Sequence, residues 1–196
     1  MEKQQKYRMY DNPILELLSK SGPIMMTSIH LLIAGSLVIK GIQSNPTVTL
    51  FTGTVFFCFG ILTWTLTEYL MHRFVFHWIA PSKTGKAFHY ALHGYHHDNP
   101  TDYNRLFIPP VPAILFLLLF FGIFYLFMGN MAWFFTPGFE IGYLIYSLMH
   151  YFMHTKVKLP FMYFMSFHHH LHHYRMPEKA FGVSSRFWDR VFRTMP

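Results

Sequence analysis

Apolar residues in this chain gather in four long runs rather than in short alternating stretches. Residues 24–42, 48–71, 111–128 and 131–152 are each long enough, at about 1.5 Å per residue, to cross or nearly cross the hydrocarbon of a bilayer as a helix. The segment from Gly41 to Pro46 reads as a turn between the first two, and Gly129-Asn130 allows a tight reversal between the last two. The pattern therefore predicts two helical hairpins. Pro137, Gly138 and Glu140 disturb the start of the fourth run. Polar, histidine-rich segments occupy residues 72–110 and 153–196. Residues 1–20 are basic around an apolar patch at Ile14 to Leu18, too polar for a secretory signal; a lipid-surface helix and a solvated tail fit them equally.

Composition supports lipid as the solvent. Charged residues make up 13% of the chain, against about 25% in an ordinary soluble domain. Charge then sets the orientation. If the chain forms two hairpins, the first tail, the 73–110 segment and the last segment share one side, with four, four and seven Lys and Arg. Only Lys40 of the sixteen lies opposite. The positive-inside rule places that basic side, and both termini, in the cytoplasm. The predicted fold is all-α and integral to a membrane: four transmembrane helices in two hairpins over a cytoplasmic helical cap, with 1–196 as one domain. The net charge of +7 is spread between apolar spans and forms no nucleic-acid motif, so no nucleic-acid partner is expected. The lone Cys58 excludes an intrachain disulfide and a cysteine-based zinc site.

The candidate chemistry lies in histidines. His169, His172 and His173 have H-x-x-H-H spacing, as do His93, His96 and His97, and on a helix each trio falls within roughly 100° of one face. His150 and His154 are an i, i+4 pair at the end of the fourth run. His72 and His77, at i, i+5, stand about 140° apart on an ideal helix, so both reach one site only if the helix ends or bends between them. Ten imidazoles exceed what a structural zinc needs and give two ions about five each. Among imidazole-compatible metals, iron can cycle in redox state and activate O2, which suits open coordination beside lipid. A transporter would place its ligands near the membrane midplane, whereas these lie beyond the helix ends. His30 is expected to pack between helices. His168 and His170 point off the face of their neighbours and are expected to support ligands or face solvent. His89 either supports a ligand ring or adds a further ligand.

These residues resemble the fatty acid hydroxylase branch of the sterol desaturase superfamily, from about Glu68 to Thr194. The resemblance rests on Glu68-Tyr69-Leu70-Met71-His72 running to His77, on His93-Gly94-Tyr95-His96-His97 followed by Asp102, Arg105, Leu106, Pro109 and Pro110, on His150 with His154, on His169 to Tyr174, and on Phe181 to Phe192. It implies two irons held by the ten histidines, with zinc able to occupy the sites in purified protein. It also implies hydroxylation of the carbon next to the acyl carbonyl of a free or sphingolipid-type substrate, using O2 and two external electrons. Yeast and animal 2-hydroxylases of this branch often carry an N-terminal haem domain that this chain lacks, so a separate cytochrome- or ferredoxin-type donor protein is expected. Asp98 and Asn99 stand where such relatives often have other residues. Glu68, Asp102 and Asp189 are candidates to accept the outward N–H of ligand rings, and solvent-facing roles fit them equally. A desaturase or hydroxylase of a sterol or carotenoid, and a non-catalytic metal-binding membrane protein, remain open alternatives. The expected location is the cytoplasmic membrane of a bacterium or the endoplasmic reticulum of a eukaryote.

Overall fold

The computed structural model describes residues 7–157 and 159–196. Lys3, Lys6 and Lys158, which entered the charge argument, lie outside the described residues. Helices and no strand occur among those described. A short α1 (Pro13–Leu18) starts where Asn12 Oδ1 accepts the Ile14 and Leu15 N–H groups. It presents Ile14 and Leu17 outward. α2 (Pro23–Ser44) begins with a proline whose missing N–H costs nothing at a first turn. α3 (Leu50–Met71) is capped by Thr49 Oγ1. It passes directly into a π-turn at His72–Phe76. Beyond it come α4 (Lys83–His89), a second π-turn at Tyr90–Gly94, and α5 (Tyr95–Asp98). The rest comprises α6 (Pro110–Met128), α7 (Ala132–His154), α8 (Tyr163–Tyr174) and α9 (Phe187–Val191), with short 3₁₀ turns between.

Among the described residues, three stretches are long and apolar enough to cross a membrane: Pro23–Ser44, Leu50–Phe76 and Tyr103–His154. The third differs from the expectation of two separate runs because it is 52 residues long and contains both α6 and α7. These helices nevertheless reverse at Gly129, whose φ of +54° suits glycine. Phe124 then packs on Phe135, and Phe120 on Phe139, in antiparallel order.

Helix α7 is the axis of the molecule. It runs unbroken through Pro137 and is buried on most sides, so the irregular start predicted from Pro137, Gly138 and Glu140 is not what forms. Those residues are the packing surface. A Cβ on Gly138 would stand 1.9 Å from the Phe57 carbonyl oxygen, one on Gly60 2.1 Å from that of Phe135, and one on Gly142 2.5 Å from Trp64 Cβ. Small residues at four-residue spacing let α3 and α7 meet backbone to backbone. Glu140 meets α2 instead, through His30 Nδ1. The order of these contacts makes α3 parallel to α7. The histidine-bearing ends of both helices therefore emerge together.

Candidate metal centre

Local backbone form decides where each ring points. In the π-turn, the His77 N–H reaches the His72 carbonyl at 3.2 Å, an i→i+5 closure that brings residue 77 round over residue 72. This resolves the awkward H-x4-H spacing: the helix widens into a π-turn and ends at Phe76, with His77 as its cap. The second π-turn, Tyr90–Gly94, contains His93, the first histidine of the first H-x-x-H-H motif.

The ten candidate imidazoles come together in two groups of five. One contains His72, His77, His93, His97 and His172; the other contains His96, His150, His154, His169 and His173. Within each group the potential donor atoms all lie within 4.8 Å of one another. In the first, His72 Nε2 is 3.1 Å from His93 Nε2, His77 Nε2 is 3.0 Å from His172 Nε2, and His97 Nε2 is 3.0 Å from His93 Nε2. In the second, His96 Nε2 is 3.0 Å from both His150 Nε2 and His173 Nε2, and His154 Nε2 is 2.9 Å from His169 Nε2. His97 and His173 stack with ring centroids 4.2 Å apart and join the groups.

Neither H-x-x-H-H motif forms a site by itself. His93 and His97 serve one group while His96 serves the other; His169 and His173 serve one while His172 serves the other. The single face read from the spacing is an arc that spans two neighbouring clusters.

Burial and crowding keep these rings neutral. Removal from water depresses the pKa of His93, His96 and His169 well below the ordinary value, and neighbouring imidazoles depress it further. The same causes, in the same order, bring His77 down to about 3 and His97 down to about 4. His173 is lowered likewise. Burial also lowers His172, against an opposing hydrogen bond to the Lys179 carbonyl.

Two rings have their tautomer set by the C-terminal segment. His72 Nδ1–H donates to the Phe181 carbonyl at 2.6 Å, and His172 Nδ1–H to the Lys179 carbonyl at 2.7 Å. A carbonyl only accepts, so the proton sits on Nδ1 and the Nε2 lone pair faces the group. Sequence reasoning missed these partners because a backbone carbonyl leaves no trace in residue identity. The Phe181–Phe192 stretch was the available signal, although its role could not be read from it.

The acidic residues act one step further out than expected. None of Glu68, Asp102 or Asp189 touches one of the ten rings. Glu68 accepts the Val183 and Ser184 N–H groups at 2.7 and 2.8 Å, and the Ser184 hydroxyl. Asp189 accepts the Phe181 and Gly182 N–H groups, both at 2.9 Å, the Thr194 hydroxyl at 2.8 Å, and His168 Nε2 at 2.9 Å. Burial raises the Asp189 carboxyl, but the bonds from His168, Thr194 and Gly182 outweigh it and hold the pKa below its usual value. Together these carboxylates strap residues 180–194 against the two rings they orient. Asp102 instead binds the Tyr95 hydroxyl at 2.9 Å and Arg105, which also pairs with Glu16 of α1.

His89 belongs to neither group and donates from Nδ1 to the Phe76 carbonyl at 2.8 Å, which secures the end of the first π-turn. His170 is exposed and bonds the Ser166 carbonyl at 2.6 Å. A cavity of about 340 Å³ adjoins both groups through His93, His96 and His150; its outer wall includes Tyr10, Leu15 and Leu18.

Comparison with known proteins identifies the family of the chain. The family description "Fatty acid hydroxylase" matches residues 57–194. A fatty acid 2-hydroxylase from Rattus norvegicus is 38% identical over 144 residues, covering 71% of this chain and 39% of that protein. A dihydroceramide fatty acyl 2-hydroxylase from Arabidopsis thaliana is 37% identical over 143 residues, covering 70% of this chain and 59% of its own length. This chain thus spans about two fifths of the first relative's length and about three fifths of the second's. A solved structure described as full-length scs7p, with only the hydroxylase domain visible, superposes with a TM-score of 0.89 at 31% identity, over 96% of this chain and 71% of that one. With the family description covering most of its length, this chain belongs to the fatty acid hydroxylase family.

Proposed function

We propose that this protein is an O2-dependent di-iron hydroxylase of lipid acyl chains, acting at the carbon next to the carbonyl of free or sphingolipid-type fatty acyl groups. The observation that carries this reading is the pair of five-imidazole groups that open onto one largely apolar cavity. Neutral rings whose Nε2 atoms face one another at about 3 Å set lone pair against lone pair, an arrangement a cation between them would relieve. Imidazole donors, the absence of thiolate and the number of ligands fit two irons, and zinc can occupy the same sites. The ligands are His72, His77, His93, His97 and His172 for one ion and His96, His150, His154, His169 and His173 for the other.

Bound iron would supply activation of O2 with electrons from a separate donor protein of cytochrome or ferredoxin type. The rest of the work belongs to this chain's residues. The straps at Phe181 and Lys179 keep two lone pairs aimed, and the π-turn keeps His77 beside His72. Leu106, Phe107, Tyr146 and their neighbours give the substrate a water-poor wall beside His96 and His150. The chain acts as a single membrane unit in which α2, α3, α6 and α7 are four spans. The histidine groups and both termini lie on the cytoplasmic side, in the cytoplasmic membrane of a bacterium or the endoplasmic reticulum of a eukaryote. The basic face there draws anionic headgroups and an acidic electron donor.

Intact-lipid mass spectrometry with and without the gene tests the reading. Loss of 2-hydroxy acyl species on deletion, restored by the gene, is the expected result. A change confined to desaturated chains, sterols or carotenoids overturns it. Purified gently, the protein should hold two irons per chain; stable isolation with no metal in either group overturns the ligand assignment.

A further inference from the structure

The large cavity beside the histidines has a smaller neighbour of about 40 Å³, and Phe76, Ile108 and Tyr143 line both. Tyr143 is held in that shared wall by the Ile108 N–H, 3.3 Å from its hydroxyl. Along α7, Tyr143 lies about 10 Å and Phe139 about 16 Å from His150, so the two cavities follow one line away from the histidines into the helix bundle. The far end is closed by Trp64, Phe120 and Phe139, with ring centroids 4.9–5.0 Å apart.

The small cavity is not wholly apolar. His30, 2% exposed, lines the small cavity and pairs through Nδ1 with Glu140, which lines it too. His30 Nε2 and Trp64 Nε1 are buried without a hydrogen-bond partner in the protein. Ionisable side chains inside apolar helices are costly and call for a function. The space beside them is about that of a single water.

We propose that the small cavity receives the end of the acyl chain and that His30, Glu140 and Trp64 set the longest chain accepted. The inference rests on the acyl hydroxylase reading above. A chain whose reacting carbon lies beside His96 and His150 can continue along α7 past Phe76, Ile108 and Tyr143. A tail that stops within the large cavity does not reach His30 or Trp64, which line only the small one. A longer tail enters the small cavity, displaces hydration from His30 Nε2 and the Trp64 N–H, and offers nothing in return. Leaving such buried groups unsatisfied lowers the acceptance of the longer chain by about tenfold. Aromatic bulk limits how far the tail can go, and the polar atoms sharpen that limit between chains that differ little in length.

The test offers the full-length protein, in membranes, a mixture of saturated acyl substrates of graded length and reads the ratios of 2-hydroxy products. Two variants are compared with the native chain. His30→Leu combined with Glu140→Leu removes both members of the pair, because removing one strands the other. Trp64→Phe keeps a ring and deletes the N–H. Both should shift the long-to-short product ratio upward by about tenfold. An unchanged ratio in active variants overturns the inference. Native protein that forms no 2-hydroxy product at any length contradicts the functional reading instead. A measurement on native protein alone avoids dependence on variant folding: acyl substrates with a photoreactive group at the chain end are cross-linked and mapped. Labels within residues 108–120 and 139–143 are expected for the longest accepted chain; labels confined to α1 and the neighbourhood of Phe88 overturn the proposal.

Discussion

An imidazole can donate a lone pair only from the nitrogen that carries no proton, so whatever holds the other nitrogen controls the site. For His72 and His172 that control comes from two carbonyls of the C-terminal segment, which Asp189 and Glu68 keep in place. Asp189→Ala should therefore weaken metal binding by about 10–100-fold while leaving all ten rings in the chain, measured by titration of the metal-depleted protein. Because His172 and His173 serve different groups, His172→Ala and His173→Ala should each lower bound iron by about half, and the double variant should lower it further, read by elemental analysis. Turnover should vanish in each. The protonation states give a third expectation. The pKa values of His77 and His97 lie near 3 and 4, below their unfolded value of about 6.5. Below about 6.5 the unfolded chain binds protons that the folded chain refuses, so the metal-free protein should lose stability steadily as pH falls from there toward 4. Thermal melts across that window check the sign: a midpoint that rises on acidification contradicts it. At this scale the ten histidines were readable from spacing alone. Their partners were not, because two are backbone carbonyls and the carboxylates act through them.

Among the elements, the π-turns and the α3–α7 crossing matter most. The H-x4-H spacing required a departure from α-helix, which the sequence could signal, but the form of that departure depended on how the turn closed. His89 bonding to the Phe76 carbonyl is part of that closure. The H-x-x-H-H motifs show the opposite limit. Their rings do lie within one arc, yet the positions of His150 and His72 on other helices determine which rings group together. Gly138 in that crossing was misread for a related reason. Gly138 looks like an interruption along a single run, whereas beside Phe57 it is the residue that permits contact. Gly138→Leu should destabilise the protein by about 1–3 kcal/mol or more, seen as a lower melting temperature in detergent, because backbone blocks the added side chain. Gly122→Ala, with nothing within 4 Å of its added Cβ, should leave the melting temperature nearly unchanged.

At the scale of the molecule, α7 organises the rest: α3 lies parallel to it, α2 and α6 antiparallel, and the histidine-bearing ends converge under one side of the bundle. The C-terminal segment then closes over them. Truncation after residue 178 should preferentially deplete metal from the group containing His72 and His172, since both carbonyl partners are lost, and metal-to-protein ratios measure this. The sequence by itself determined the long apolar helices, the basic face and the histidine inventory, because hydropathy, charge and spacing are local properties of the chain. Tertiary structure alone decided the division into two groups of five, the strap that orients two rings, and the polar end of the small cavity. Each depends on which atoms of distant segments meet, and that is set by the close approach of α3 to α7 and by buried groups finding partners, neither of which is written in any one segment.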